Sequence, residues 1–84
     1  MSTVTESNRE TREIVARNIE TSARAAHISV RRLARESGVD ERTLRRYVAA
    51  EHTPNTRNLM KIAGVVGQSL EWFYVNHDDG GPDG

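Results

Sequence analysis

RLARESGVDERTLRRYV, residues 32–48, is the stretch that decides how this chain folds: five arginines stand around a single glycine, and the apolar residues fall at few, definite places. Ser29 is a suitable N-cap for a short helix over Val30–Ser37, and Gly38 ends it by taking the left-handed conformation at low cost. Asp40 then caps a second helix from Glu41 to about Ala50. The link Gly38-Val39-Asp40 is too short for the helices to separate, so they cross steeply in contact. Ala34 is small enough to sit at that crossing. Leu33, Val39, Leu44 and Tyr47 fall on the inner side, and the same register throws Arg31, Arg35, Arg42, Arg45 and Arg46 outward.

Charge along the chain is segregated although the formal sum is zero. Residues 1–28 carry four Arg and four Glu, residues 29–61 carry eight basic against four acidic, and residues 62–84 carry four acidic and no basic residue. The middle third is therefore a basic patch. Eleven of the 12 basic residues are Arg, a bias that fits a GC-rich bacterial or phage genome. At 84 residues the chain is expected to form one small domain with a single core, without room for a large catalytic cavity. Cysteine is absent, which excludes disulfides and thiolate metal sites. The opening MSTVTESNRETRE has no apolar core of a signal peptide, and no run approaches the ~20 apolar residues of a membrane span, so a cytoplasmic protein is expected.

Helical signals cover most of the chain, and neither alternating β-branched runs nor repeats occur. Ser7 and Glu10 fit a capping box, and Ile14, Val15, Asn18, Ile19, Ser22, Ala23 and Ala26 recur at helical spacing, predicting a first helix over 8–26. Asn55, after the break at Thr53-Pro54, caps a fourth helix with a buried stripe of Leu59, Ile62, Ala63 and Val66, ended by Gly67. Ser69 caps a last short helix, LEWFYV. The fold class is all-α, five helices: residues 1–12 form a polar arm or the frayed start of helix one, 13–75 the domain, and 76–84 a disordered acidic tail.

The pattern Leu33-Ala34, Gly38-Val39, Thr43-Leu44 and Tyr47, followed by Pro54 and NLMKIAGVVGQSLEWFY, resembles the lambda-repressor-like (Cro and XRE type) helix-turn-helix DNA-binding family from about Ile19 to Tyr74. Two positions depart from the family pattern. An arginine on helix one and a glutamate late in helix three, often paired in members, are Ala23 and Val48 here; both partners are missing together, so no charge is stranded. The glycine often found after helix three is Ala50, so that helix is expected to run on or its loop to take another path.

The resemblance implies that helix three enters the major groove of double-stranded DNA, with Glu41, Arg42, Arg45 and Arg46 as the base-contacting candidates. Arginine can donate twice to guanine O6 and N7, and glutamate can accept from cytosine N4 and is repelled by phosphate. Glu41 thus points to sequence reading, or else to stabilisation of the helix N-terminus. Arg31, Asn55, Thr56, Arg57 and Lys61 are the phosphate-contacting candidates. Neutralising four to six phosphates would give a log–log salt slope of roughly −4 to −5. Trp72, Phe73 and Tyr74 cannot all face one core, since neighbours on a helix point about 100° apart. Trp72 and Tyr74 are accordingly candidates for a homodimer contact on DNA.

His27, His52 and His77 have no metal-ligand spacing, no serine or threonine stands in a nucleophile motif, and Gly64-Val65-Val66-Gly67 lacks the Lys-Ser/Thr of a phosphate loop. No enzyme, metal, cofactor or small-molecule ligand is expected. The function expected is a transcriptional regulator acting at an operator near the nucleoid of a bacterial cell or phage-infected host, a repressor of the phage Cro or immunity type. The alternatives are the antitoxin of a toxin–antitoxin pair, with the acidic tail on the toxin, and a protein-interaction module that uses the aromatic end.

Overall fold

The computed structural model describes residues 2–77. Four α-helices, α1 (Ser2–Ala25), α2 (Val30–Ser37), α3 (Glu41–Val48) and α4 (Thr56–Val66), are followed by one 3-10 turn over Glu71–Tyr74. No strand occurs among the described residues. The all-helical class matches the sequence, but the fifth element is a single 3-10 turn instead of an α-helix. Its start keeps the expected serine: Ser69 Oγ accepts from the Trp72 amide at 3.2 Å.

The caps explain why the helices of the pair are short. Ser29 is extended, and its hydroxyl accepts from the Arg32 amide at 3.1 Å, while Gly38, at φ 81°, donates its N–H to the Ala34 carbonyl. Asp40 accepts from the Thr43 amide at 3.2 Å, and Asn55 caps α4 by accepting from the Asn58 amide at 2.7 Å. Each of the three side-chain bonds satisfies an amide that the helix start would leave unpaired, and the Gly38 N–H serves a carbonyl at the end of α2.

Helix boundaries at α1 and α3 differ from expectation. Backbone helix runs through Ser7, so Ser7 and Glu10 do not form a capping box at a helix start. At its other end α1 stops at Ala25, leaving Ala26 exposed in a turn; His27, at φ 61°, reverses the chain and the Ile28 amide bonds back to the Ala23 carbonyl. Helix α3 stops at Val48, two residues short of the expected end. Ala50 takes φ 63°, its N–H bonds to the Tyr47 carbonyl, and the Glu51 N–H bonds to the Arg46 carbonyl. This is a Schellman ending with alanine in the place that glycine usually fills.

The core is one cluster in which Val15, Ile19 and Ala23 of α1 meet Leu33 and Ala34 of α2, Leu44 and Tyr47 of α3, Leu59, Ile62 and Ala63 of α4, and Phe73 of the 3-10 turn. Val39 of the link is buried with them, and Val66 is only half-buried. Helix α1 packs on α3 and on the 3-10 turn, and α2 packs on both α3 and α4. Asn18 and Ser22, which the helical spacing placed on the buried stripe, are indeed buried, and their polar atoms are bonded. The Asn18 amide donates to the carbonyls of Phe73 and Val75, both at 2.8 Å, and so ties the chain end to α1. Of the expected tail, residues 78–84 lie outside the described residues. His77 stacks on Trp72 with ring centroids 4.4 Å apart, and Asn76 is half-buried.

Candidate nucleic-acid interface

Helix α3 has two faces set by its sequence. Leu44 and Tyr47 are 0% and 5% exposed, and the Tyr47 hydroxyl oxygen accepts from the Asn58 side-chain amide of α4 at 2.8 Å. Three residues on the other face, Arg42, Arg45 and Arg46, are all exposed. With Glu41 and Glu51 they line a shallow surface concavity. A second concavity, between α2 and α3, is lined by Arg31, Ala34, Arg35, Val39 and Glu41. Glu41 borders both.

The base-contacting candidates are therefore brought together, with one feature that their spacing implied but the sequence reading did not use. The Glu41 carboxylate accepts from Arg45 Nε at 3.0 Å and from Nη2 at 2.7 Å, both at Oε2. On a helix, residues four apart are neighbours, and glutamate N-terminal to the cation is the favourable order. Arg32 and Glu36 pair at the same spacing one helix earlier, in the reverse order and through Nε at 2.6 Å. Both pairs are solvated, worth about 0–1 kcal/mol each, so they shape charge more than they stabilise. Arg31, Arg35, Arg42 and Arg46 make no ion pair with any described residue. Arg35, absent from the contact candidates drawn from the sequence, borders the second concavity beside Arg31. Its outward register on α2 was the signal for it.

Four of the five phosphate-contacting candidates lie on two helix starts. Arg31 is exposed in the first turn of α2; Thr56 and Arg57 are exposed in the first turn of α4, and Lys61 is exposed on the same helix. Asn55 differs from them in that its Oδ1 already caps α4, leaving only its Nδ2 for another partner. An α-helix start presents amide donors and the positive end of the helix dipole, which suits an anion.

At the far end of the chain, the three aromatics divide as their spacing requires. Phe73 is fully buried, Trp72 is half-buried and meets Phe73 edge-on at 5.2 Å, and Tyr74 is 44% exposed beside exposed Val75. The polar residue that sequence reasoning missed outright is Arg12. Its Nε donates to the Ala50 carbonyl at 3.1 Å and links α1 to the end of α3. Ala23 and Val48, where family members often hold an ion pair, are buried and half-buried without charge, and Arg12 makes the α1–α3 polar contact instead.

No described helix is long and apolar enough to cross a membrane. Among the described residues, no group of three or more His, Cys, Asp and Glu could hold a metal ion. The family model described as helix-turn-helix (HTH_3) matches residues 22–73, more than half of the chain and all of α2, α3 and α4. Neither a curated protein nor a solved structure matches the chain.

Proposed function

Since the chain belongs to the HTH_3 helix-turn-helix family of DNA-binding regulators, we propose that it binds a specific operator by laying α3 in the major groove and represses transcription by occupying that site. The observation that carries this reading is the exposed arginine face of α3, backed by a fully buried inner face and capped at both ends. A rigid helix with its donors presented outward can meet base edges with little ordering cost.

In this reading Arg42, Arg45 and Arg46 contact bases, and an arginine that donates twice to guanine gives about 1–3 kcal/mol of discrimination at its base pair. Arg31, Arg57, Lys61, Thr56 and the Nδ2 of Asn55 hold the phosphates and set the register of α3 on the duplex. Two copies on half-sites about one helical turn apart would meet through the end that carries Tyr74 and Trp72. Exposure of Tyr74 and Val75 side by side supports that surface. A repressor of the phage Cro or immunity type is a step taken by analogy of fold.

Selection of bound sequences from random duplex DNA tests the reading. The wild-type protein should enrich one motif, and Arg42→Ala and Arg46→Ala should each relax base preference at particular positions. Failure of any sequence to enrich at moderate salt would remove it. A protein-interaction module would instead tolerate charge reversal at Arg42 and Arg46 and lose function on substitution of Trp72 or Tyr74.

A further inference from the structure

We propose that Glu41 and Arg45 act as one neutral reading unit, in which Glu41 determines specificity by holding Arg45 and by suppressing its contribution to indiscriminate binding. The inference rests on the DNA-binding reading above and assigns the chemistry within it.

The two bonds between the side chains use Nε and one N–H of Nη2 on Arg45 and a single oxygen, Oε2, on Glu41. They leave the outer edge of the guanidinium, Nη1 with the second N–H of Nη2, and they leave Oε1 of the carboxylate. The outer edge is the part of an arginine that donates in parallel to two acceptors, and a carboxylate oxygen accepts from an amino group. Guanine offers two acceptors in the major groove, O6 and N7, and its paired cytosine offers an amino donor at N4. The unit is thus complementary to the edge of a G·C pair without the ion pair being broken. An A·T pair places an amino donor where guanine has O6 and the O4 acceptor of thymine where cytosine has its donor.

Charge gives the second half of the inference. Around the unit, the concavities of α3 hold Arg42 and Arg46 on one side and Arg31 and Arg35 on the other, none of them ion-paired among the described residues. Their uncompensated charge attracts duplex DNA of any sequence. Arg45 differs because its charge is cancelled within the protein, so it releases no additional counterion when duplex DNA of arbitrary sequence is bound. Phosphate also repels the Glu41 carboxylate. A duplex lacking the right base edge therefore gains nothing from Arg45 and leaves Glu41 Oε1 facing no donor, whereas the correct edge satisfies both members. Discrimination of this kind comes from a repulsive element as much as from an attractive one.

The test compares wild type, Glu41→Gln, Arg45→Ala and the double variant on two duplexes: the sequence selected by wild type, and a scrambled duplex of equal length. Gln keeps the size of Glu41 and an acceptor oxygen but releases the charge of Arg45. On the scrambled duplex, Glu41→Gln is expected to bind several-fold more tightly, with the salt slope steeper by about 0.9. The ratio of affinities, selected over scrambled, should fall about tenfold or more, and the double variant should lose little beyond Arg45→Ala. Thermal melting of each variant separates these changes from loss of fold. An unchanged salt slope, equal weakening on both duplexes, or additive effects in the double variant would each overturn the proposal; equal weakening is what a role confined to the helix N-terminus gives. If wild type itself binds neither duplex, the DNA-binding reading fails and this one with it.

Discussion

Arg12 of α1 donates its Nε–H to the backbone carbonyl of Ala50 at 3.1 Å, across 38 residues of chain, and so holds the residue at which α3 turns away. Both residues are half-buried. A bond from a charged donor contributes about 1.5–3 kcal/mol, and the remaining solvent access brings the expected loss for Arg12→Ala to about 1–2 kcal/mol. Urea unfolding followed by fluorescence of Trp72, the single tryptophan, should show the midpoint falling with an unchanged m value. An unmoved midpoint would mean that the contact contributes nothing in solution.

Ala50 and Gly64 are each placed where the other residue type would be more stable. Ala50 has φ 63°, a conformation that costs a residue with a Cβ roughly 1–2 kcal/mol, whereas Gly64 lies exposed inside α4, and a Cβ there would meet nothing within 4 Å. Ala50→Gly and Gly64→Ala are each expected to stabilise the fold by about 0.5–1 kcal/mol. For a domain of this size that is a rise in Tm of about 2–8 °C for each. A fall in Tm for Ala50→Gly would show that the left-handed turn is not strained.

Asn18 is 3% exposed, and its amide serves the carbonyls of Phe73 and Val75. Replacing it by leucine retains bulk but leaves buried acceptors without a donor, at a cost of about 1–3 kcal/mol per group. Asn18→Leu should therefore unfold more easily despite its greater hydrophobicity, and amide exchange should rise first around Glu71–Tyr74, the segment that the side chain ties down. Protection there equal to wild type would contradict this role.

Most of the helix-turn-helix pair was legible in the sequence because its determinants are local. Ser29, Gly38 and Asp40 act within a turn or so of chain, and Leu33, Leu44 and Tyr47 follow from helical period alone. What escaped was long-range or backbone-specific. Nothing local says that Ala50 will be left-handed, since alanine favours helix, and only the packing of α1 on α3 brings Arg12 to its carbonyl. Asn18 could be placed on the buried face by period, but its acceptors lie more than fifty residues away. At the interface, spacing supplied both members of the Glu41–Arg45 pair, while their joint geometry required the structure.

In the proposed binding mode Asn55 separates folding from DNA contact within one side chain, because its oxygen caps α4 and its amino group is left for phosphate. Asn55→Ala removes both functions and should cost about 1 kcal/mol of stability. Asn55→Asp keeps a capping oxygen and places a negative charge at the helix start, where the dipole favours it, so stability should be equal to wild type or higher. The same charge would stand opposite the DNA backbone. Affinity should then fall several-fold on every duplex, with no change in the preferred sequence. Arg57→Ala, in the first turn of the same helix, should likewise weaken binding uniformly and make the salt slope shallower by about 0.9. Thermal melts with salt titrations on the selected and scrambled duplexes distinguish the two effects. If Asn55→Asp binds like wild type, the start of α4 does not approach phosphate, and the register proposed for α3 on the duplex must shift away from that end.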